Sequence, residues 1–164
     1  MLKVNPLLLD NYHKENLMNL KENLKATGEL TISVFTQDGK LKESKKVPNL
    51  VVTVGKNYIA SRMAGTASTV MSHMAIGTGT GTPSVGNTTL GTEAGRVSLA
   101  SFTASTNTVT ATATFPAATA TGAITEAAIF NDGSSGTMLC RTTFPVVNKA
   151  AGDSIAITWV VTVS

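Results

Sequence analysis

The stretch MAIGTGTGTPSVGNTTLGTE, residues 74–93, alternates glycine and threonine from Gly77 to Thr82. A strand that runs into such a loop has two readings. If the loop opens a helix carrying Lys-Ser or Lys-Thr, its free N–H groups cradle a phosphate, and the fold is α/β. Otherwise the loop joins strands and the fold is β. Here the run continues through Pro83, Ser84, Val85 and Gly86. No lysine stands between Lys56 and Lys149, and no helical period follows Gly81. We therefore read the stretch as a turn-rich connection leaving a strand, anchored to the core by Leu90 and Val85.

The pattern downstream agrees. Apolar and polar residues alternate over about 71–78, 96–104, 107–115, 123–130, 137–144 and 154–163, and each interval is read as a strand. Ile155, Ile157, Trp159, Val161 and Val163 share one face, as do Val109, Ala111, Ala113 and Phe115. Threonine is abundant, which favours strand over helix. Several short strands with turns between them predict a mainly β fold, an antiparallel β-sandwich.

Upstream, Leu30, Ile32 and Val34 alternate with Thr31, Ser33 and Phe35, and Asp38-Gly39 supplies a tight turn, so residues 29–47 read as a hairpin. Val54, Tyr58, Ile59, Arg62 and Met63 recur at helical spacing before Gly65, which predicts a short helix near 52–64. Residues 1–9 read as an extended arm, because Pro6 disfavours helix. Asp10 or Asn11 caps a helix running to about Thr27, with Leu17, Leu20 and Leu24 on one face and Gly28 as its stop. So narrow a stripe needs a surface to pack on, in its own domain or in another subunit. The chain thus divides into an arm and amphipathic helix, 1–28, and a β-sandwich domain, 29–164. Leu7, Leu8, Leu9, Leu17, Leu20 and Leu24 are the candidate interface residues.

Charge is distributed unevenly. Residues 1–65 carry ten Lys/Arg against six Asp/Glu, and residues 66–164 carry three against four. The second part is nearly uncharged, a poor surface for a phosphate backbone, so no nucleic-acid partner is expected. The basic excess at Lys40, Lys42, Lys45 and Lys46 reads as a solvated hairpin edge. No run of eighteen apolar residues suggests a membrane span, and the first residues lack the long apolar region of a signal peptide.

Residues that carry chemistry are few. His13 and His73 are the only histidines and share no metal-binding spacing. Cys140 is alone, in a strand pattern, and reads as a small buried hydrophobe. No G-x-S-x-G elbow is present. Asp132-Gly133 and the serines after it read as a hairpin loop, with too few carboxylates for tight calcium binding. Glu93, Glu126, Asp132 and Asp153 are the only carboxylates after residue 65. Glu126 stands among apolar neighbours in GAITEAAIF and, if buried, needs a partner such as Arg96 or Arg141. No catalytic, cofactor-binding or metal site is expected. Glu126, Arg141 and Trp159 are the expected structural residues, the last as core.

The motifs NLVVTVGKNYIASRM, MAIGTGTGTPSVGNTTLGTE, ATFP, GAITEAAIFN, GTMLCRTTFPVVNK and DSIAITW occur in this order. The series, from about residue 48 to 164, resembles a family of small virion structural proteins of tailed bacteriophages. The resemblance implies assembly and carries over no catalytic residue. It implies a capsid decoration or cement protein, or alternatively a short tail fibre or tail adaptor with receptor-binding capacity. The implied partners are copies of itself, as dimer or trimer, and the major capsid protein or tail proteins. The implied place is the virion, on the capsid exterior or in the tail, after assembly in the bacterial cytoplasm.

Overall fold

The structure, a computed structural model, describes residues 23–66 and 69–164. Nine strands and one helix follow there in chain order: β1 (Ala26–Phe35), β2 (Leu41–Val51), α1 (Thr53–Met63), β3 (His73–Gly77), β4 (Glu93–Ser98), β5 (Ser101–Ser105), β6 (Thr108–Phe115), β7 (Gly122–Phe130), β8 (Met138–Lys149) and β9 (Ser154–Val163). The mainly β, antiparallel class is what the alternating pattern predicts. The strands form one continuous sheet, in the order β4-β3-β7-β8-β2-β1-β9-β6-β5.

That order forces the sheet to curl. β4 and β5 lie at its two edges, yet only Leu99 and Ala100 join them. Eight strand spacings laid flat would separate the edges by roughly 38 Å. The link from Ser98 to Ser101 spans at most roughly 11 Å. The sheet therefore bends round until its edges meet, giving a half-barrel. The link is stitched to both sides: Leu99 N–H donates to Ser72 O and Ala100 N–H to Thr112 O, each at 2.8 Å. At the middle of the ribbon, β2 pairs along its length with β1 but meets β8 only at Leu50–Arg141 and Val51–Cys140.

The main core fills the inside of the curl. Leu30, Ile32 and Val34 of β1 turn inward, as do Ala111, Ala113 and Phe115 of β6 and Ile155, Ile157, Trp159 and Val161 of β9. Trp159, fully buried, sits between Leu30 and Ala111 on the neighbouring strands, and the small alanine leaves room for the indole. A second, smaller core of Val52, Ala75, Leu90, Ala128, Phe130 and Met138 lies on the opposite face of β3, β7 and β8. It is roofed by the start of α1 and by the glycine–threonine connection. β7 is thus covered on both faces, which is why its residues from Ile124 to Phe130 are all buried and its sequence shows little alternation.

Three local expectations differ from the structure. The strand expected over 96–104 is two strands, broken at the link where the chain crosses from one sheet edge to the other. The strand expected over 137–144 runs on to Lys149 through Pro145, where β8 has extra residues against β7. Proline is tolerated at such an irregularity. The end of the expected N-terminal helix is strand: Ala26, Thr27 and Gly28 pair with Val163, Thr162 and Val161, and this ladder satisfies their backbone instead. Gly28 is accordingly no helix stop. It lies mid-strand, where a side chain would come within 2.7 Å of Val160 O and collide with Asn49. The arm, the rest of that helix and His13 lie outside the described residues.

Candidate functional site

The glycine–threonine connection does cradle an anion, and the anion is the chain's own Glu126. β7 presents this glutamate beneath the loop, with its side chain fully buried. One carboxylate oxygen accepts from Gly79 N–H at 2.9 Å and Thr92 N–H at 2.8 Å; the other accepts from Gly91 N–H at 3.0 Å. Arg141, two residues along the ladder on β8, donates to that second oxygen at 2.8 Å. Four donors occupy the lone pairs that an ionised carboxylate offers. Burial raises the Glu126 pKa, but the Thr92 and Gly91 N–H groups, the Arg141 guanidinium and the Gly79 N–H together hold it below its ordinary value.

Arg141 reaches further into the loop. Its Nη1 donates to Asn87 Oδ1 at 2.8 Å and its Nη2 also to Gly81 O at 3.1 Å, while its buried Nε has no partner among the described residues. Asn87 Oδ1 in turn accepts from Ser84 N–H at 2.7 Å, closing the turn at the loop's tip. Gly79 is required by this close approach: a Cβ there would lie 2.8 Å from the Glu126 carboxyl carbon. Thr125, beside Glu126, donates to Gly79 O at 2.9 Å. Two consecutive strand residues reach one loop residue at the point where the β7–β8 register shifts, between Ile124 and Glu126. Leu90 is buried under the loop, as its sequence position suggests. Val85 is not an anchor: its side chain is exposed, and only its carbonyl is held, by Thr53 N–H at 2.8 Å.

Arg96, the other candidate partner of Glu126, is committed elsewhere. It grips Glu93 in a two-pronged pair at 3.0 and 2.8 Å, lies 3.8 Å over the Phe130 ring, and donates to Asp132 O and Ser135 O at 2.8 Å each. It thereby pins the loop between β7 and β8 to β4. Asp132 spends its carboxylate inside that loop on the N–H groups of Ser134 and Ser135. His73 contacts two hydroxyls, Ser72 at 2.8 Å and Ser98 at 3.3 Å, and no carboxylate among the described residues bonds it as a triad would require.

A further polar knot closes the end of the sheet where β8 turns into β9. Lys149, 2 % exposed, donates to Asp153 O at 2.7 Å and Pro116 O at 2.9 Å. Asp153 accepts from Lys42 at 2.7 Å and Ala150 N–H at 3.0 Å. Lys40, Lys45 and Lys46 pair with Asp38, Glu43 and Glu29 at 2.9, 2.7 and 2.6 Å, so each lysine of the basic hairpin meets a carboxylate. Cys140 is fully buried, which pushes its thiol pKa far up and keeps it protonated.

Among the candidate interface residues, Leu24 is 74 % exposed, and Leu7, Leu8, Leu9, Leu17 and Leu20 lie outside the described residues. Reading the residues alone did not single out Asn87 or Lys149. Each also has a near partner, Ser84 or Asp153, but the partner that ties it to the rest of the fold, Arg141 or Pro116, is distant in the chain. Among the described residues no cluster of three or more potential metal ligands occurs, and no helix is long and apolar enough to cross a membrane.

The fold and the clamp together define a class: an antiparallel half-barrel whose outer face carries a loop organised by a buried ion pair. No family model, curated protein or solved structure matches the chain.

Proposed function

We propose that this chain is a structural virion protein of a tailed bacteriophage that works by assembly rather than catalysis, as a capsid decoration protein that binds and stabilises the shell. The observation that carries the reading is the clamped loop. Glu126 and Arg141 spend their charge and hydrogen bonds on holding residues 78–92 in one shape, with the loop's tip and the Val85 side chain facing outward. A loop held rigid before it meets a partner loses little entropy on binding, which suits repeated docking to a shell lattice. The order of motifs resembling tailed-phage virion proteins supports the same reading. Within it, the two arms of the curled sheet serve as the two layers of a sandwich. The chain associates with itself as a dimer or trimer, and its leucine-bearing N-terminal segment contributes to docking.

Quantitative mass spectrometry of purified particles tests this. Copies comparable in number to the major capsid protein support decoration. A far smaller number places the chain in the tail, as a short fibre or adaptor. Absence from particles overturns the virion reading. Sedimentation that shows only monomer, both free and in particles, overturns the self-association.

A further inference from the structure

We propose that the free edge of β5 pairs with the β5 edge of a second copy of this chain, antiparallel about a two-fold axis at Thr103. Among the described residues β5 ends the sheet and pairs with β6 alone. The two sheet edges meet at Leu99 and Ala100, but β4 packs there against β6, and Thr103, Ala104 and Ser105 are left exposed. One bond sets the phase of the ladder. Val163 N–H donates to Asn107 O at 2.9 Å, so the odd-numbered residues of β6 bond β9. The even-numbered ones bond β5, through Ser101, Thr103 and Ser105. The N–H and C=O groups of Phe102 and Ala104 therefore point away from the sheet, a template for another strand.

The fold defends its other open edge and not this one. Where β2 leaves β8 it carries Lys42, Glu43, Lys45, Lys46 and Pro48, and Lys45 donates to Pro145 O and Val146 O at 3.2 and 2.8 Å. Charges and proline so placed turn a foreign strand away. Ser101–Ser105 has neither charge nor proline.

A second copy satisfies this edge completely. In the register centred on Thr103, Phe102 faces the second copy's Ala104, and Ala104 faces the second copy's Phe102. Each of these pairs exchanges both its N–H···O bonds, so every outward group of Phe102 and Ala104 is used. On one face the large Phe102 meets the small Ala104. On the other, Thr103 meets Thr103 and Ser101 meets Ser105, so hydroxyls face hydroxyls and no like charges are opposed. An edge of 5 residues lies at the low end of interface sizes, so the pairing is weak and depends on concentration. The inference rests on the self-association proposed above, for which it names the surface, and does not need the virion reading.

Disulfide trapping in the full-length protein tests it. The pair on the axis has its Cα atoms about 4.5 Å apart, within disulfide range. Thr103→Cys should therefore cross-link to itself on mild oxidation at high protein concentration. Ser105→Cys, with its two copies roughly 13 Å apart, should not. The buried Cys140 does not compete. Ala104→Pro deletes an outward N–H that β6 does not use, so the melting temperature should hold while Thr103→Cys/Ala104→Pro loses the cross-link. Failure of Thr103→Cys to cross-link, equal cross-linking of Ser105→Cys, or a cross-link that survives the proline overturns the proposal. Sedimentation separates this edge from self-association in general. A non-covalent dimer that persists in Ala104→Pro is joined through another surface: it overturns the β5 pairing and leaves the self-association standing. Hydrogen exchange is an independent readout on the unmodified protein. The Phe102 and Ala104 amides should exchange fast in dilute solution and slowly in concentrated solution. Protection that does not change with concentration shows that the edge is paired within one chain, and overturns the proposal.

Discussion

At position 126 a carboxylate is buried with four donors around it, and Arg141, 3 % exposed, is buried with it. Glu126→Gln keeps the shape but leaves the guanidinium without a counter-charge. Removing one partner of a buried pair costs about 3–5 kcal/mol, so urea unfolding should show a loss of that order. Glu126→Gln with Arg141→Met should recover much of it, because an apolar pair leaves no stranded charge. The same carboxylate makes the fold acid-sensitive. Its folded pKa lies below the ordinary value of 4.5, so its contribution is fully present above that pH and is lost as pH falls through the folded value. Thermal melts from pH 7 down to 3 should show the midpoint falling below about pH 4.5, with a smaller acid-dependent loss in the double variant. Trp159 tests the inner core. Trp159→Ala should cost about 3–5 kcal/mol in the same unfolding assay. Trp159→Phe should cost markedly less, because the indole N–H has no partner among the described residues and its loss leaves nothing unsatisfied.

The clamped loop is the element on which the proposed function depends. Gly79→Ala places a methyl group against the Glu126 carboxyl, so the loop must lift or the glutamate must turn. Overpacking of this kind costs about 1–3 kcal/mol. The discriminating readout is local: the amides of Gly91 and Thr92 bond Glu126, and their hydrogen exchange should accelerate in Gly79→Ala while those of β9 stay protected. Equal protection at all these positions would show that the loop does not depend on the clamp.

At the scale of the whole molecule, the curl joins distant parts of the chain. β1 pairs with β9, β2 with β8 and β6 with β9, so the central ladders close long stretches of sequence. Loop-closure entropy must be met before such contacts form, and folding is slow relative to chains with local topology. Stopped-flow refolding should proceed in milliseconds to seconds. Microsecond folding would show that the hairpin of β1 and β2 carries more of the stability than the closed sheet does.

The sequence by itself determined what depends on neighbouring residues. Period-two alternation marked the inward faces of β1, β6 and β9; Asp38-Gly39 marked the first hairpin; helical spacing ending at Gly65 marked α1. It also required a cation for Glu126 and offered Arg96 and Arg141, because a lone glutamate in an apolar strand needs a partner. The tertiary structure decided what depends on residues far apart. The break at Leu99 and Ala100 exists because the sheet's two edges meet there, and nothing in the local pattern encodes that meeting. Ala26 to Gly28 are strand rather than helix because β9, more than a hundred residues later, supplies their hydrogen bonds. The choice of Arg141 over Arg96 followed from the Glu93 and Phe130 that Arg96 meets after folding. The glycine–threonine run looks from sequence like a loop without a ligand. Only the pairing of β7 with β3, which sets Glu126 beside Gly77 where the loop leaves its strand, brings a carboxylate under its N–H groups, where burial strengthens each bond it makes.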